Sequence, residues 1–274
     1  MTKLFSLAAT LLMVPTAAFA QAAPAGPAAA PAGPPALCTD RPTKATSACT
    51  VPKGMVQFET DIVNWTKLSV DGVRTDTILY TNPTLKFGLT ESTDIEASFT
   101  PYESIRTRDG SGSNTIRGVG DLYLRVKQRL SSSEAKAQFA LIPYIKLPTA
   151  KLGIGNRKVE AGLVGTGVFT LPAGFSLTVT PEIDALLDSD GHGHHAQYVG
   201  AFNVGKTLSP KLTAYAELWT AQNYDPAGHV RQYSADFAVA YLASALLQLD
   251  AGTNIGLNRA TPGVQAYVGI STRF

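Results

Sequence analysis

Apolar and polar residues alternate with a period of two along most of the chain after residue 54. The final stretch, 263–274, shows the pattern clearly. Its apolar face consists of Val264, Ala266, Val268, Ile270, Thr272 and Phe274. Its other face consists of Gln265, Tyr267, Gly269, Ser271 and Arg273. A period of two predicts a β-strand with one apolar and one polar side. An amphipathic strand that ends on an aromatic residue is typical of the strand that closes a bacterial outer-membrane barrel.

The same alternation predicts about twelve strands, most of them close to the length that a tilted transmembrane strand needs. We place them near 55–70, 75–89, 94–106, 118–130, 135–147, 159–171, 175–188, 196–207, 212–223, 232–241, 247–258 and 263–274. Short connections alternate with longer polar ones, such as 70–75, 106–117 and 148–158, as expected when periplasmic turns alternate with external loops. The predicted fold is therefore all-β, an antiparallel transmembrane β-barrel of about twelve strands that the C-terminal strand closes. A β-sandwich would alternate too, but it would leave the loop rhythm and the export signal unexplained.

The N-terminal region predicts export. Lys3, an apolar run from Leu4 to Val14 and the sequence Ala18-Phe19-Ala20 form a signal peptide over residues 1–20. Residues 21–37 are rich in Ala, Pro and Gly and predict a flexible linker. In the following segment, 38–54, an even number of cysteines in an exported chain predicts a disulfide between Cys38 and Cys49. The pattern leaves open whether this segment lies in the periplasm or plugs the lumen. Residues 55–274 form the predicted barrel.

Composition and motifs exclude some functions. The chain has 274 residues and a formal net charge of +2, which argues against nucleic-acid binding because that needs a basic stripe. The mean hydropathy of +0.04 fits a barrel whose lipid-facing and lumen-facing residues alternate. The sequence contains no G-x-S-x-G, Walker A or H-E-x-x-H motif. We expect neither enzymatic activity nor a cofactor.

If the apolar face meets lipid, the opposite face lines the lumen. The candidate selectivity residues on this face are Lys86, Arg125, Lys127, Arg129, Lys146, Glu182, Asp184, Glu217, Asp236 and Asp250. The basic residues come mainly early in the chain and the acidic ones mainly later, with Glu59, Asp61 and Glu96 near the start. In a closed ring, the fourth strand would face a wall that carries Asp236. Either the two walls create a transverse field across a polar pore, or the charges pair and fill a narrow lumen.

Two further groups of residues carry weaker signals. Pro83, Pro101, Pro143 and Pro181 fall within predicted strands, where proline removes a ladder hydrogen bond. They predict either bulges near the membrane boundary or a weakened wall through which an apolar solute could leave laterally. His192, His194 and His195 lie with acidic residues in one loop. They are candidate ligands for a divalent metal, although such a loop is more often simply polar and external.

Aromatic residues near the strand ends predict girdles at the membrane boundaries. They are Tyr80, Tyr102, Tyr198, Trp219, Tyr224, Tyr233 and Tyr241. Ordinary strand propensity is the competing explanation for these residues.

Several segments together resemble one known family. They are 39–42 (TDRP), 51–59 (VPKGMVQFE), 83–90 (PTLKFGLT), 94–96 (DIE), 118–121 (GVGD), 127–130 (KQRL) and 146–149 (KLPT). Their order is similar to that in the outer-membrane transporter family named for the meta-cleavage pathway of phenol degradation, over residues 38 to 274. The resemblance implies an outer-membrane channel or transporter for small solutes, including aromatic or hydrophobic compounds.

The alternative function is a structural or partner-binding barrel that transports nothing. In either case the expected location is the outer membrane of a Gram-negative bacterium, after cleavage near Ala20. The expected partners are outer-membrane lipid, the barrel assembly machinery and, for a channel, a small-molecule solute. No nucleic acid is expected.

Overall fold

A computed structural model describes residues 35 and 37–274. The predicted signal peptide, 1–20, and nearly all of the predicted linker, 21–37, lie outside the described residues. The described strands are β1 (Val56–Val70), β2 (Val73–Tyr80), β3 (Thr84–Gly88), β4 (Thr93–Ser98), β5 (Tyr102–Asp109), β6 (Gly112–Gly118), β7 (Leu122–Arg129), β8 (Ala137–Leu147), β9 (Glu160–Thr170), β10 (Phe175–Leu187), β11 (His194–Ser209), β12 (Leu212–Asn223), β13 (Val230–Ser244), β14 (Leu247–Gly256) and β15 (Val264–Arg273). A short 3-10 turn, Pro172–Gly174, precedes β10. No helix in this part of the chain is long and apolar enough to cross a membrane.

The strands form a closed antiparallel barrel that has twelve strand positions around its ring, which confirms the predicted fold. Three of these positions are each occupied by two consecutive strands, because the chain bends between β2 and β3, between β4 and β5, and between β6 and β7. The outer half of β1 pairs with β2, and its periplasmic half pairs with β3. Pro83 and Pro101 lie at two of the bends, where a residue without an N–H costs no ladder hydrogen bond.

The C-terminal strand closes the barrel against β1, as its pattern predicts. Arg273 lies directly opposite Gln57, and the register runs from there to the pair Lys67 and Val264. The backbone N–H groups of Val56 and Phe274 each donate to the other residue's carbonyl oxygen. One residue, Ile62, is bulged out of the register.

Burial in this barrel is the reverse of that in a soluble protein. Large apolar side chains such as Leu85, Leu124 and Phe237 are exposed, whereas charged groups such as Glu59 and Lys127 are buried. This inversion follows from the period of two in each strand, because alternate side chains face lipid and lumen. The apolar outer surface meets the hydrocarbon of the outer membrane, and the polar residues line the interior.

Two connections that we predicted as longer external loops, 70–75 and 106–117, are short hairpin turns instead. The segment 106–117 forms a tight hairpin between β5 and β6, and β1 connects to β2 through Asp71 and Gly72 alone. The Asp109 carboxylate accepts hydrogen bonds from the backbone N–H groups of Ser111 and Gly112, which stabilises the hairpin turn. The loop 148–159, in contrast, remains long, and its Ala150 and Ile154 face into the barrel.

The other two strand prolines interrupt pairing without breaking the strand. Across from Pro143, the ladder between β7 and β8 skips from the pair of Arg125 and Tyr144 to the pair of Gln128 and Leu141. Beside Pro181, the ladder between β9 and β10 skips in the same way. The girdle prediction is wrong for Trp219, which faces the lumen.

Candidate functional site: a plug in the barrel lumen

Residues 38–54, which we call the plug, lie inside the barrel and contact its wall on several sides. They contain no strand or helix, and a disulfide between Cys38 and Cys49 closes them into a loop. Among its apolar residues, Ala45, Ala48 and Val51 are buried. The wall contacts of the plug, however, are mainly ionic and hydrogen-bonded.

Asp40 binds the basic side of the wall. Its carboxylate accepts hydrogen bonds from Lys127 at 2.7 Å and from Lys86. Both lysines are almost fully buried, Lys127 at 1 % and Lys86 at 3 % exposure. Nearby carboxylates are therefore needed to stabilise their positive charges. Burial would raise the pKa of Asp40, but Lys127 and Lys86 outweigh this and hold the pKa well below its usual range. Asp40 therefore stays ionised in the docked plug.

Arg41 binds the acidic side of the wall. Its guanidinium lies 2.6 Å from carboxylate oxygens of both Asp61 and Asp250, and its Nε donates a second hydrogen bond to Asp250 at 3.2 Å. This bidentate geometry makes the pair strong and specific in direction. Burial would lower the pKa of Arg41, but the two carboxylates raise it above its usual value.

Lys44 binds the same acidic side further along the barrel. Its ammonium lies 3.1 Å from Asp236, donates to the Ser234 hydroxyl at 2.8 Å, and lies 4.0 Å from the centre of the Trp219 ring. Burial lowers the pKa of Lys44, and Asp236 opposes this effect. A cation above an aromatic face gains electrostatic stabilisation when the site is desolvated.

Backbone groups of the plug are also paired with the wall. Glu217 accepts hydrogen bonds from the N–H groups of Lys44 and Ala45 at 3.1 and 2.9 Å. Asp94 accepts from the N–H of Val51 at 2.8 Å. Glu59 accepts hydrogen bonds from the N–H groups of Asp40 and Arg41. Further contacts of this kind join Gln57 to Cys38, Tyr267 to Pro42, and both Thr166 and Thr180 to Thr46. These bonds satisfy the plug backbone where it has no secondary structure of its own.

Two wall glycines make room for the plug. A Cβ atom at Gly88 would overlap the carbonyl groups of Val51 and Pro52, and one at Gly269 would overlap the Arg41 guanidinium. The absence of a side chain lets the plug approach the wall closely at both points. Both glycines lie on the lumen side of their strands. The period of two predicts a polar residue at such positions, but it does not predict that glycine is required.

The wall around the plug carries more carboxylates than ammonium groups. The buried carboxylates are Glu59, Asp61, Asp94, Glu96, Glu217, Asp236 and Asp250, and the buried ammonium groups are Lys86 and Lys127. The acidic excess lies mainly on β1, β12, β13 and β14, and the lysines lie on β3 and β7. The plug presents Asp40 to the lysines and presents Arg41 and Lys44 to the carboxylates. Its charges therefore complement an asymmetric wall.

Above the plug lies an open chamber of about 830 Å³. The plug forms its floor, and the loop 148–159 contributes to its side. Lys146 pairs with Glu160 at 2.7 Å and with Asp121 at 3.5 Å. Asp184 accepts a hydrogen bond from the Tyr144 hydroxyl at 2.6 Å. The aromatic residues of its lining are Phe99, Tyr123, Tyr144 and Trp219.

The candidate lumen residues divide into three groups. Around the plug lie Lys86, Lys127, Glu217, Asp236 and Asp250. Around the chamber lie Arg125, Lys146, Glu182 and Asp184. Arg129 lies at the periplasmic rim, where its guanidinium donates to the carbonyl oxygens of Ser131 and Glu91.

The three histidines do not converge. The His192 side chain is 90 % exposed, and His194 reaches only the Val159 carbonyl oxygen, at 3.5 Å. The His195 side chain is only 5 % exposed, and its Nδ1 lies 2.8 Å from Asp188 and 3.9 Å from Asp225. Among the described residues, no group of three or more His, Cys, Asp or Glu side chains could hold a metal ion.

The charged plug residues Asp40, Arg41 and Lys44 were not among the sequence-based candidates. They follow an Ala- and Pro-rich stretch and belong to no periodic pattern. The available signal was the cluster of charges itself, placed between two cysteines in an exported chain. Such a cluster shows that the segment is polar but does not show which wall it contacts.

Comparison with known proteins supports the fold. Residues 39–274 match the family profile described as "Putative MetA-pathway of phenol degradation". The COG4313 outer membrane channel from Pseudomonas putida F1 superimposes with a TM-score of 0.64 at 16% sequence identity, over 83% of this chain and 98% of that one. The β domain of the Bordetella autotransporter BrkA gives a TM-score of 0.53 at 12% identity, over 81% of this chain and 100% of that one. No curated protein sequence matches the chain. The two structural similarities show an outer-membrane barrel fold, which fits the predicted location in a Gram-negative outer membrane.

Proposed function

Since the chain belongs to the family described as "Putative MetA-pathway of phenol degradation", we propose that it is an outer-membrane channel for small solutes, with aromatic compounds as its substrate class. In this proposal, residues 55–274 form the pore wall and residues 38–54 form a gate that must move before a solute can pass. The chamber is the site where a solute enters from outside the cell.

The polar contact between plug and wall is the observation that carries the proposal. A permanent filler would be expected to pack like a protein core, with apolar side chains on both surfaces. Here Asp40, Arg41 and Lys44 hold the plug by ion pairs. The wall groups that they contact are charged side chains, which water can hydrate. Such an interface can separate and leave a polar pore, because water can replace the plug as the partner of each charged group.

The chamber lining supports an aromatic substrate. Tyr123, Tyr144 and Trp219 present ring surfaces, and Glu182 and Asp184 present hydrogen-bond acceptors. Binding pockets for small molecules combine apolar surfaces with a few well-placed polar groups in this manner. A small phenolic compound matches both features, because its ring can stack on an aromatic side chain while its hydroxyl group donates to a carboxylate. The family description points to the same class of compound.

The filled lumen also favours a second candidate, a structural barrel that transports nothing. The plug is held on two sides by buried ion pairs, and removal of one partner from a buried pair is costly. A plug that never leaves would make the barrel a closed structural protein of the outer membrane. The two candidates differ in one measurable property, the passage of ions and solutes.

Planar-bilayer recordings of the folded full chain distinguish these candidates. We expect brief openings above a mostly closed baseline, and we expect phenol on the external side to interrupt the open current. Cyclohexanol, which has similar size but no aromatic ring, serves as the matched control and should interrupt the current less. A protein that shows heat-modifiable migration but passes no ions at any voltage would support the structural barrel instead.

A further inference from the structure

The outer surface of the barrel carries an arginine cluster at its extracellular end. Four arginines, Arg74, Arg106, Arg108 and Arg117, line a shallow groove of about 620 Å³ on the strands β1, β2, β5 and β6. One carboxylate, Asp76, lies in the same groove. This cluster is separate from the plug and from the chamber, and nothing in the proposed transport function uses it.

The arginines face the membrane side of the wall. In the register of these strands, Asp76 lies opposite Arg106, Ile78 opposite Ser104, and Tyr80 opposite Tyr102. All of these residues share one face of the sheet, because residues directly opposite each other on paired strands point the same way. Their sequence neighbour Glu103 lines the internal chamber, so the shared face is the outer one.

The height of the cluster matches the headgroup region of the outer leaflet. Tyr80 and Tyr102 are exposed on this face with their ring centres 5.5 Å apart, as expected for a girdle at the membrane boundary. Arg106 and Arg108 follow Tyr102 on the same strand, towards the cell exterior. At roughly 3.3 Å per residue, they lie within about 20 Å of the girdle.

The charges of the cluster are not balanced within the protein. Asp76 accepts hydrogen bonds from Arg74 at 2.7 Å and from the Trp65 indole at 3.2 Å, and it lies 3.5 Å from Arg108. Arg74 and Arg108 lie directly opposite each other, an arrangement that destabilises a sheet when both residues have the same charge.

The positive charges of the other two arginines are compensated even less. Arg106 and Arg117 are exposed. Neither has a carboxylate within ion-pair distance among the residues that the structure describes. An external anion would therefore relieve the repulsion across the strands and would neutralise the two unpaired guanidinium groups.

We propose that this groove binds the phosphate groups of lipopolysaccharide, the phosphorylated glycolipid of the outer leaflet. Guanidinium groups bind phosphate oxygens in a bidentate manner and keep their charge at any physiological pH. The lipid is favoured over a free anion because the groove faces the membrane and lies next to an exposed aromatic pair, which offers a surface for the sugar and acyl portions. Basic groups beside a membrane attract anionic lipid headgroups in the same way on other membrane proteins.

A titration with lipid A tests the proposal. The full chain, folded in detergent, is titrated with bisphosphorylated lipid A, and bound lipid is counted by native mass spectrometry. Arg106→Ser, Arg108→Ser and Arg117→Ser combined should weaken binding on the order of 100-fold, because each basic group near a membrane surface contributes about 1 kcal/mol. The matched control combines Arg157→Ser, Arg231→Ser and Arg259→Ser, which removes the same charge from exposed positions elsewhere, and it should change affinity less than about 2-fold on the same scale.

Two further arms use the unaltered protein and do not depend on the folding of a variant. Dephosphorylated lipid A should bind the unaltered chain on the order of 100-fold more weakly than bisphosphorylated lipid A does. Inorganic phosphate at millimolar concentration should not displace the lipid. Equal binding of the two lipid A forms, equal loss in the control variant, or displacement by inorganic phosphate would each overturn the proposal. All three outcomes are independent of whether the barrel conducts.

Discussion

Arg41→Ser combined with Lys44→Ser is expected to convert the mostly closed barrel into a steadily open, cation-selective pore. The double variant removes the plug side of three contacts, those with Asp61, Asp250 and Asp236. Removal of one partner from a buried ion pair costs about 3–5 kcal/mol, so the loss of both cations outweighs the remaining backbone hydrogen bonds of this end of the plug.

The selectivity follows from the groups that the plug leaves behind. Without Arg41 and Lys44, the carboxylates of Asp61, Asp236 and Asp250 face the water of the open lumen. Carboxylates that line a pore favour cations over anions. Reversal potentials in a salt gradient measure this preference. The control, Arg157→Ser with Arg259→Ser, removes two charges from exposed loop positions and should keep the closed baseline. A closed double variant, or an open one that prefers anions, contradicts the prediction.

Asp40→Asn is the second change with a large expected effect. The substitution keeps the size of the side chain and removes the charge that Lys86 and Lys127 share. The same buried-pair argument predicts that docking of the plug weakens by about 3 kcal/mol. The lysines keep Glu59 and Glu96 as neighbours, at 2.7 Å and 3.5 Å, so the barrel itself should remain folded.

Hydrogen–deuterium exchange measures the docking of the plug without reference to current. In the unaltered chain, the N–H groups of Ala45 and Val51 are bonded to buried carboxylates and should exchange slowly. In Asp40→Asn they should exchange on the order of 100-fold faster, in line with the expected free-energy change. Asp190→Asn removes a charge from a largely exposed loop position and serves as the control. Unchanged protection in Asp40→Asn would show that its ion pairs do not hold the plug.

The barrel could be predicted from sequence because lipid imposes a simple pattern on each strand. Within the membrane, outward residues such as Leu124 and Val126 must be apolar, and their neighbours Arg125 and Lys127 face the interior. The alternation of apolar and polar residues extends only as far as the hydrocarbon region of the membrane. The hairpin of β5 and β6 extends beyond the hydrocarbon, so its outward residues include Arg106, and a period of two in hydrophobicity no longer marks the strand.

The plug could not be predicted in the same way. Its contacts join residues far apart in sequence, such as Arg41 and Asp250, which are separated by 209 positions. The plug has no strand or helix whose period could reveal a buried face. The lumen charges could be identified one by one from alternation, but their partners depend on how the ring closes and on which segment enters it. The order of basic early strands and acidic later strands predicted an asymmetric lumen. It did not show that Asp40, Arg41 and Lys44 compensate that asymmetry.

The gate is tested most directly by single-channel conductance of the chain without residues 38–54, compared with the intact chain in the same bilayer. Heat-modifiable migration first establishes that both proteins are folded. We predict a mostly closed baseline for the intact chain and a steady, cation-selective conductance for the shortened chain. Equal conductance of the two folded proteins would contradict the assignment of residues 38–54 as the gate.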